Sequence, residues 1–146
     1  MTVLPPRGTV SLVSVPQIHD PRGDLTFVEG GNHIPFDIAR VYYLYNVPVD
    51  AEWGGHAHTD LQQVVFALSG SFRMKIDDGY EKSEYWLSNP RQGLHINRLI
   101  WREMDSFSQG AVCMVLASHL MMKLIIFLII TTSLRLSKEQ TRDPFS

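Results

Sequence analysis

Cysteine is almost absent from this chain. Its 146 residues include one, Cys113. A single thiol excludes an internal disulfide, and its place in the apolar run from Ala111 to Leu116 reads as a buried, inert side chain rather than a nucleophile. An excess of either charge is lacking too. Lys and Arg total 13 against 15 Asp and Glu, a formal charge of −2 with no basic block, so nucleic acid is not expected as a main partner. No apolar run reaches the roughly 18 residues that a membrane span requires. The N-terminus lacks the charged start and apolar core of a secretory signal, so the expectation is a cytoplasmic protein. Neither an internal repeat nor a low-complexity linker is present. What remains, 45% hydrophobic and 19% charged residues in a chain of this length, suits one soluble domain with its own core.

Short β-branched and aromatic runs between turn signals fill most of the chain. Strands are expected at Gly8 to Val15, Leu25 to Glu29, Val41 to Val47, Gln63 to Leu68, Ser71 to Ile76, Tyr85 to Leu87, Gly93 to Asn97 and Ala111 to Ala117. His19 to Asp24 and Gly30 to Asn32 read as turns, and Asp77-Asp78-Gly79 as a hairpin. Many short strands at close spacing predict an all-β sandwich or barrel.

The stretch Gly54-Gly55-His56-Ala57-His58 is the richest in chemistry. Residues two apart in a strand share a face, so the two imidazoles would project together, for a metal or for paired acid–base work. The glycine pair permits a close backbone approach beside them. The spacing His56-x-His58-x4-Gln63-x6-Gly70 resembles the first motif of the cupin superfamily, in which two histidines and a glutamate on inward strand positions bind a metal and a later histidine completes the set. Here the glutamate position is Gln63. The later segment, near Asn97 to Arg102, lacks a histidine and offers Arg102, a permanent cation without a lone pair. His95 is a spare ligand at best and is otherwise pocket-lining or structural. The expectation is no metal and no other cofactor. His19, His33 and His119 are expected to be structural.

Several further stretches carry a more specific resemblance. They are Ile34 to Tyr43, Gly55 to His58, Leu68 to Ser71, Asp77 to Gly79, Gly93-Leu94, Ile100 to Met104 and Val115 to Ser118. Together they resemble the dTDP-sugar 3,4-ketoisomerases, the WxcM-like or FdtA/QdtA-type cupins, over roughly residues 8 to 120. The resemblance implies an all-β cupin jelly roll (a double-stranded β-helix barrel) that works as a metal-free homodimer. It implies conversion of dTDP-4-keto-6-deoxy-D-glucose to a 3-keto-6-deoxyhexose, feeding transaminases that make amino sugars for surface polysaccharides. The C3 hydrogen beside the C4 ketone is acidic, so a base can remove it to give an enediol or enediolate. On that scheme His58 is the carbon base, while His56 and Tyr43 handle the oxygens or deliver a proton. Arg102 stabilises the enediolate oxygen or holds the diphosphate. Gln63 binds sugar hydroxyls or orients a histidine, and Trp101 joins the substrate-binding set. Arg40 is a phosphate contact or a surface residue. Alternation puts Tyr43 and Tyr45 on one face and Tyr42 on the other, with core packing as the alternative role for Tyr43. The chain departs from the family at Trp53, where arginine is common, at Asn97-Arg98, where proline is usual, and at His95, where tyrosine is common.

Residues 1–120 read as the catalytic domain and 121–146 as an atypical tail. Met121 to Ile130 is apolar without alternation, which suggests a buried strand or helix, or else a segment that touches a partner or a membrane. Family members have an acidic, tyrosine-rich tail there. Codons ATG-ATG-AAR for Met121-Met122-Lys123, shifted by one base, encode Tyr, Asn, His or Asp followed by Asp-Glu. A compensated frameshift over 121–133 is therefore expected, and resequencing the gene tests it. Three other readings compete with the isomerase. They are a dTDP-sugar 3,5-epimerase-like cupin, a non-catalytic sugar-nucleotide-binding module and a metal-dependent cupin oxygenase.

Overall fold

Alternation along β7 (Phe72–Asp77) sets the inside and outside of the molecule. Phe72, Met74 and Ile76 are buried while Arg73, Lys75 and Asp77 face outward. β6 (Gln63–Ser69) behaves differently, because Gln63 to Ala67 are all buried and this strand is covered on both faces. The computed structural model describes residues 9–57 and 60–120, and His58 and the tail from 121 lie outside them.

Among the described residues, eleven strands form three antiparallel sheets. A five-stranded sheet has the order β1 (Val10–Ser14), β9 (Gln92–Ile96), β6, β11 (Val112–Ala117), β4 (Arg40–Leu44). A four-stranded sheet runs β5 (Trp53–His56), β10 (Trp101–Asp105), β7, β8 (Lys82–Leu87). Among the described residues, β2 (Gln17–Asp20) and β3 (Gly23–Thr26) pair only with each other. The main core lies between the two larger sheets and draws Val65, Leu94, Ile96 and Val115 from one and Phe72, Met74, Ile76 and Leu87 from the other. A second cluster, with Val64, Phe66 and Leu116, sits on the outer face of the five-stranded sheet under Ile34 and Phe36. This two-sheet, all-β architecture is that of the expected jelly roll. No helix among the described residues is long and apolar enough to cross a membrane.

Three strands go beyond the sequence reading, and each has a local reason. β2 and β3 form where a turn is expected over His19 to Asp24, since the turn needs only Pro21 and Arg22 between them. β3 correspondingly ends at Thr26 rather than Glu29. β5 is masked by two glycines and β10 by its charged residues, Arg102, Glu103 and Asp105. The hairpin at Asp77-Asp78-Gly79 is present and joins β7 to β8. Asp77 Oδ1 accepts from Gly79 N–H at 2.9 Å, and Asp78 Oδ1 accepts from Tyr80 N–H and Glu81 N–H at 2.8 and 2.7 Å.

Candidate active site

Gly54 and Gly55 make the joint between β5 and β10. Both have positive φ, 96° and 81°. The pairing passes from Arg102↔His56 to Glu103↔Gly54, so Gly55 is the unpaired residue of a β-bulge. A Cβ on Gly54 would lie 2.8 Å from the Arg102 carbonyl oxygen, which explains the glycine there. The result is a fixed register in which the backbone of His56 lies opposite Arg102.

Arg102 points into the barrel and is only 3% exposed. Its Nε and Nη2 donate to the Ile100 carbonyl at 3.3 and 3.1 Å, and its Nη1 makes a short hydrogen bond to Gln63 Oε1. Burial lowers its pKa to about 10, which still leaves it cationic at neutral pH. Because a guanidinium only donates, the Gln63 oxygen must face Arg102 and the amide nitrogen must face away. That nitrogen donates to Tyr42 Oη at 2.8 Å. The phenol oxygen is thus an acceptor in the chain, and its own proton remains free to donate to another group. Burial raises the Tyr42 pKa, while Arg40, Arg102 and the Gln63 bond oppose the rise.

Arg40 completes the group. It lies two residues before Tyr42 on the same face of β4, with its guanidinium 5.1 Å from the Tyr42 ring centroid. Ala117 of β11 pairs with both Arg40 and Gln63, and its small side chain separates them. Arg40 Nε and Nη1 are buried without a hydrogen-bond partner among the described residues. Buried guanidinium nitrogens left unpaired are costly.

The structure therefore brings together Arg40, Gln63 and Arg102 of the expected residues, and adds Tyr42. It does not bring Tyr43 to this group. Tyr43 is 60% exposed on the opposite face of β4, with its ring 5.9 Å from that of Tyr45. Arg40 and Tyr43 are three apart in one strand and cannot face the same way. That parity is the signal that points to Tyr42. Trp101 is also outside the group, on the outward face of β10, where Nε1 donates to Glu103 Oε1 at 3.0 Å. His95 lies on the outer face of the five-stranded sheet, against Gln62 Oε1 at 3.1 Å and near Phe36. It faces away from the barrel and is no spare ligand there. Burial lowers its pKa, which favours the neutral ring. Cys113 is buried in the core, and burial pushes its thiol up to about 12, as expected of an inert side chain. His19 bonds Asp24, His33 accepts from Glu29 N–H, and His119 contacts Ser118. His58 lies outside the described residues.

Comparison with known proteins matches residues 8–123 to the family described as WxcM-like, C-terminal (FdtA). A TDP-4-oxo-6-deoxy-alpha-D-glucose-3,4-oxoisomerase from Aneurinibacillus thermoaerophilus is 41% identical over 107 residues, covering 73% of this chain and 77% of the relative. The structure of QdtA, a sugar 3,4-ketoisomerase from Thermoanaerobacterium thermosaccharolyticum in complex with TDP, superimposes with a TM-score of 0.77. Its identity is 41%, with coverage of 79% of this chain and 84% of that one. A histidine-to-asparagine mutant of that enzyme, in complex with TDP-4-keto-6-deoxyglucose, has the same TM-score at 37% identity, covering 86% of this chain and 95% of its own.

Proposed function

Because the chain belongs to the WxcM-like, C-terminal family, we propose that it is a TDP-sugar 3,4-ketoisomerase. Its substrate is dTDP-4-keto-6-deoxy-D-glucose and its product a dTDP-3-keto-6-deoxyhexose, destined for amino-sugar and surface-polysaccharide synthesis in the cytoplasm. The observation that carries this reading is the pair of buried Arg40 nitrogens, unpartnered among the described residues, beside the Tyr42–Gln63–Arg102 chain. Two cations and a phenolic proton left free by the Gln63 bond lie close together on the inner sheet faces, which suits a nucleotide sugar whose ketone must accept charge.

The reaction moves two protons and leaves the oxidation state of the whole molecule unchanged. His58 takes the C3 proton, and the electron pair left behind makes the C3–C4 double bond while the C4 oxygen becomes an enediolate. Arg102 stabilises that oxygen. Tyr42, in the role first assigned to Tyr43, and His56 pass protons between the two oxygens. Reprotonation at C4 then leaves the ketone at C3. Arg40 holds the diphosphate. Gln63, engaged at both ends of its amide, orients Tyr42 and Arg102 instead of binding sugar hydroxyls.

The reaction needs no metal on this reading, because the donor set fits one poorly. Arg102 already occupies the Gln63 oxygen, and its charge would repel a divalent ion. Exposed Ile18 and Leu25 on the isolated β2–β3 hairpin support a homodimer, since a two-stranded arm is marginal without a partner.

The test is proton NMR of dTDP-4-keto-6-deoxy-D-glucose with metal-stripped protein in deuterated water. A 3-keto product is expected, and its couplings report the C4 configuration. Deuterium at C3 and C5 with the ketone still at C4 would identify an epimerase, and bound but unchanged sugar a binding module. In the same assay His58→Asn is expected to reduce turnover by about 10²- to 10⁴-fold. Near-normal turnover would remove His58 from the mechanism.

A further inference from the structure

β5 is weakly anchored for a strand that carries part of the site. It lies at the edge of the four-stranded sheet and, among the described residues, pairs only with β10. Three of its positions are in register with that neighbour, and two of its four residues are glycines. Glycine has no side chain to pack against the next strand and weakens a sheet where it stands. Yet the bulge at Gly55 decides that the His56 backbone lies opposite Arg102. Inside the barrel Arg102 is tied to Ile100 and Gln63, which holds β10 but does nothing for β5.

The outer face of the same sheet supplies the missing contact. Trp101 and Glu103, two apart on β10, both point outward there. Trp101 Cζ2 lies 3.6 Å from where a Cβ on Gly55 would stand, so the edge of the indole rests on the bare backbone of the bulge. The ring is braced in that pose, because Nε1 donates to Glu103 Oε1 at 3.0 Å. Glu103 in turn stands opposite Lys75 of β7, with a favourable charge between them. Neither apolar core of the described residues includes Trp101, and it is 43% exposed, so core packing does not account for it. An aromatic ring laid over a glycine at a sheet edge restores the packing that the glycine lacks.

We propose that Trp101 is a positioning residue, whose indole, braced by Glu103, clamps the Gly55 bulge from outside the barrel and so keeps the His56 backbone in register with Arg102. The proposal rests on the ketoisomerase reading above, in which His56 and Arg102 act on one substrate. Trp101 itself touches no substrate, because it lies on the opposite face of β10 from Arg102. Successive residues of one strand thus serve the site from both sides. Arg102 reaches inward to the reacting oxygen, and Trp101 and Glu103 hold the neighbouring strand from without.

Two readouts on the full chain test this: steady-state kinetics with dTDP-4-keto-6-deoxy-D-glucose, and amide hydrogen exchange followed by mass spectrometry. Trp101→Ala is expected to lower kcat roughly 10- to 100-fold, the cost of a small misplacement at the site. KM should stay within about twofold, since no substrate contact is lost. Exchange should accelerate in the peptide spanning Trp53 to His56 and keep the parent rate in β6 and β11, which belong to the other sheet. Trp101→Phe keeps a ring over Gly55 and should recover most of the lost kcat. Glu103→Ala removes the brace alone and should show the same local change in milder form, which provides the reading if Trp101→Ala does not fold. A raised KM at unchanged kcat would overturn the proposal, because Trp101 would then bind substrate. So would a Phe variant as slow as the Ala variant, or exchange that rises equally in both sheets. If the parent protein shows no ketoisomerase activity, that reading falls, and exchange at Trp53 to His56 still decides the clamp. Local acceleration in Trp101→Ala supports it, and the parent rate there overturns it.

Discussion

At Tyr42 a single hydrogen-bond direction decides chemistry. Gln63 Oε1 is held by Arg102, its Nε2 therefore donates to Tyr42, and the phenol proton is left free to donate elsewhere. Removing that hydroxyl is expected to cost tenfold or more in turnover for Tyr42→Phe, whereas Tyr43→Phe, altered on the outside of the sheet, should stay within twofold. Steady-state rates of the two variants check this, and the reverse order would return the role to Tyr43. Arg40, Gln63 and Arg102 were legible as single residues. The tyrosine needed the parity of β4, which an aromatic strand with Tyr42, Tyr43 and Tyr45 on alternating faces conceals until one side is seen to be buried.

Two elements hold the site in register, and each carries a prediction. Gly54→Ala would place a methyl 2.8 Å from the Arg102 carbonyl at a φ of 96°. A loss of about 1–3 kcal/mol is expected, read as a lower urea midpoint, together with lower turnover as the β5–β10 register around Arg102 is disturbed. On the outward face, Asp105 of β10 accepts from Arg73 Nε and Nη2 of β7 at 2.8 and 2.7 Å and meets Lys75 Nζ at 2.9 Å. The Arg73 hydrogen bonds and then Lys75 hold its carboxyl well below the usual carboxylate range, against an opposing effect of burial. A depressed folded pKa stabilises the protein above the unfolded value of about 3.9, and that stability is lost as pH falls through the folded value. Urea midpoints should therefore drop below about pH 4 for the parent. Asp105→Asn should be less stable at pH 7 by about 1 kcal/mol or more and flatter in acid. Parallel pH curves for the two proteins would refute this account of the ion cluster.

For the whole molecule, the β2–β3 arm is the outlying part. Every residue of β3 is exposed, and Ile18 and Leu25 are 56 and 55% exposed. Placing lysine at both positions is expected to turn the proposed homodimer into a monomer in sedimentation equilibrium without loss of β-structure. An unchanged mass would assign the dimer contact to another surface. The arm was invisible in the sequence because Asp20-Pro21-Arg22-Gly23 reads as a turn of a loop, and nothing local says that its flanks pair. β5 and β10 were hidden for a different reason. Glycine and charge lower strand propensity, and only the neighbouring strands of the sheet override it.

Composition and alternation by themselves determined an all-β domain with one inert thiol, because burial of one face per strand writes itself into the order of residues. The motif residues likewise marked Gly54-Gly55-His56, Gln63 and Arg102 for one another. Tertiary structure alone decided which way Tyr42 and Tyr43 point, that Trp101 and His95 face away from the barrel, and that Arg40 has buried nitrogens without a partner among the described residues. Each of those depends on what lies across a sheet or between two sheets, contacts made by residues far apart in the chain and therefore absent from any local pattern.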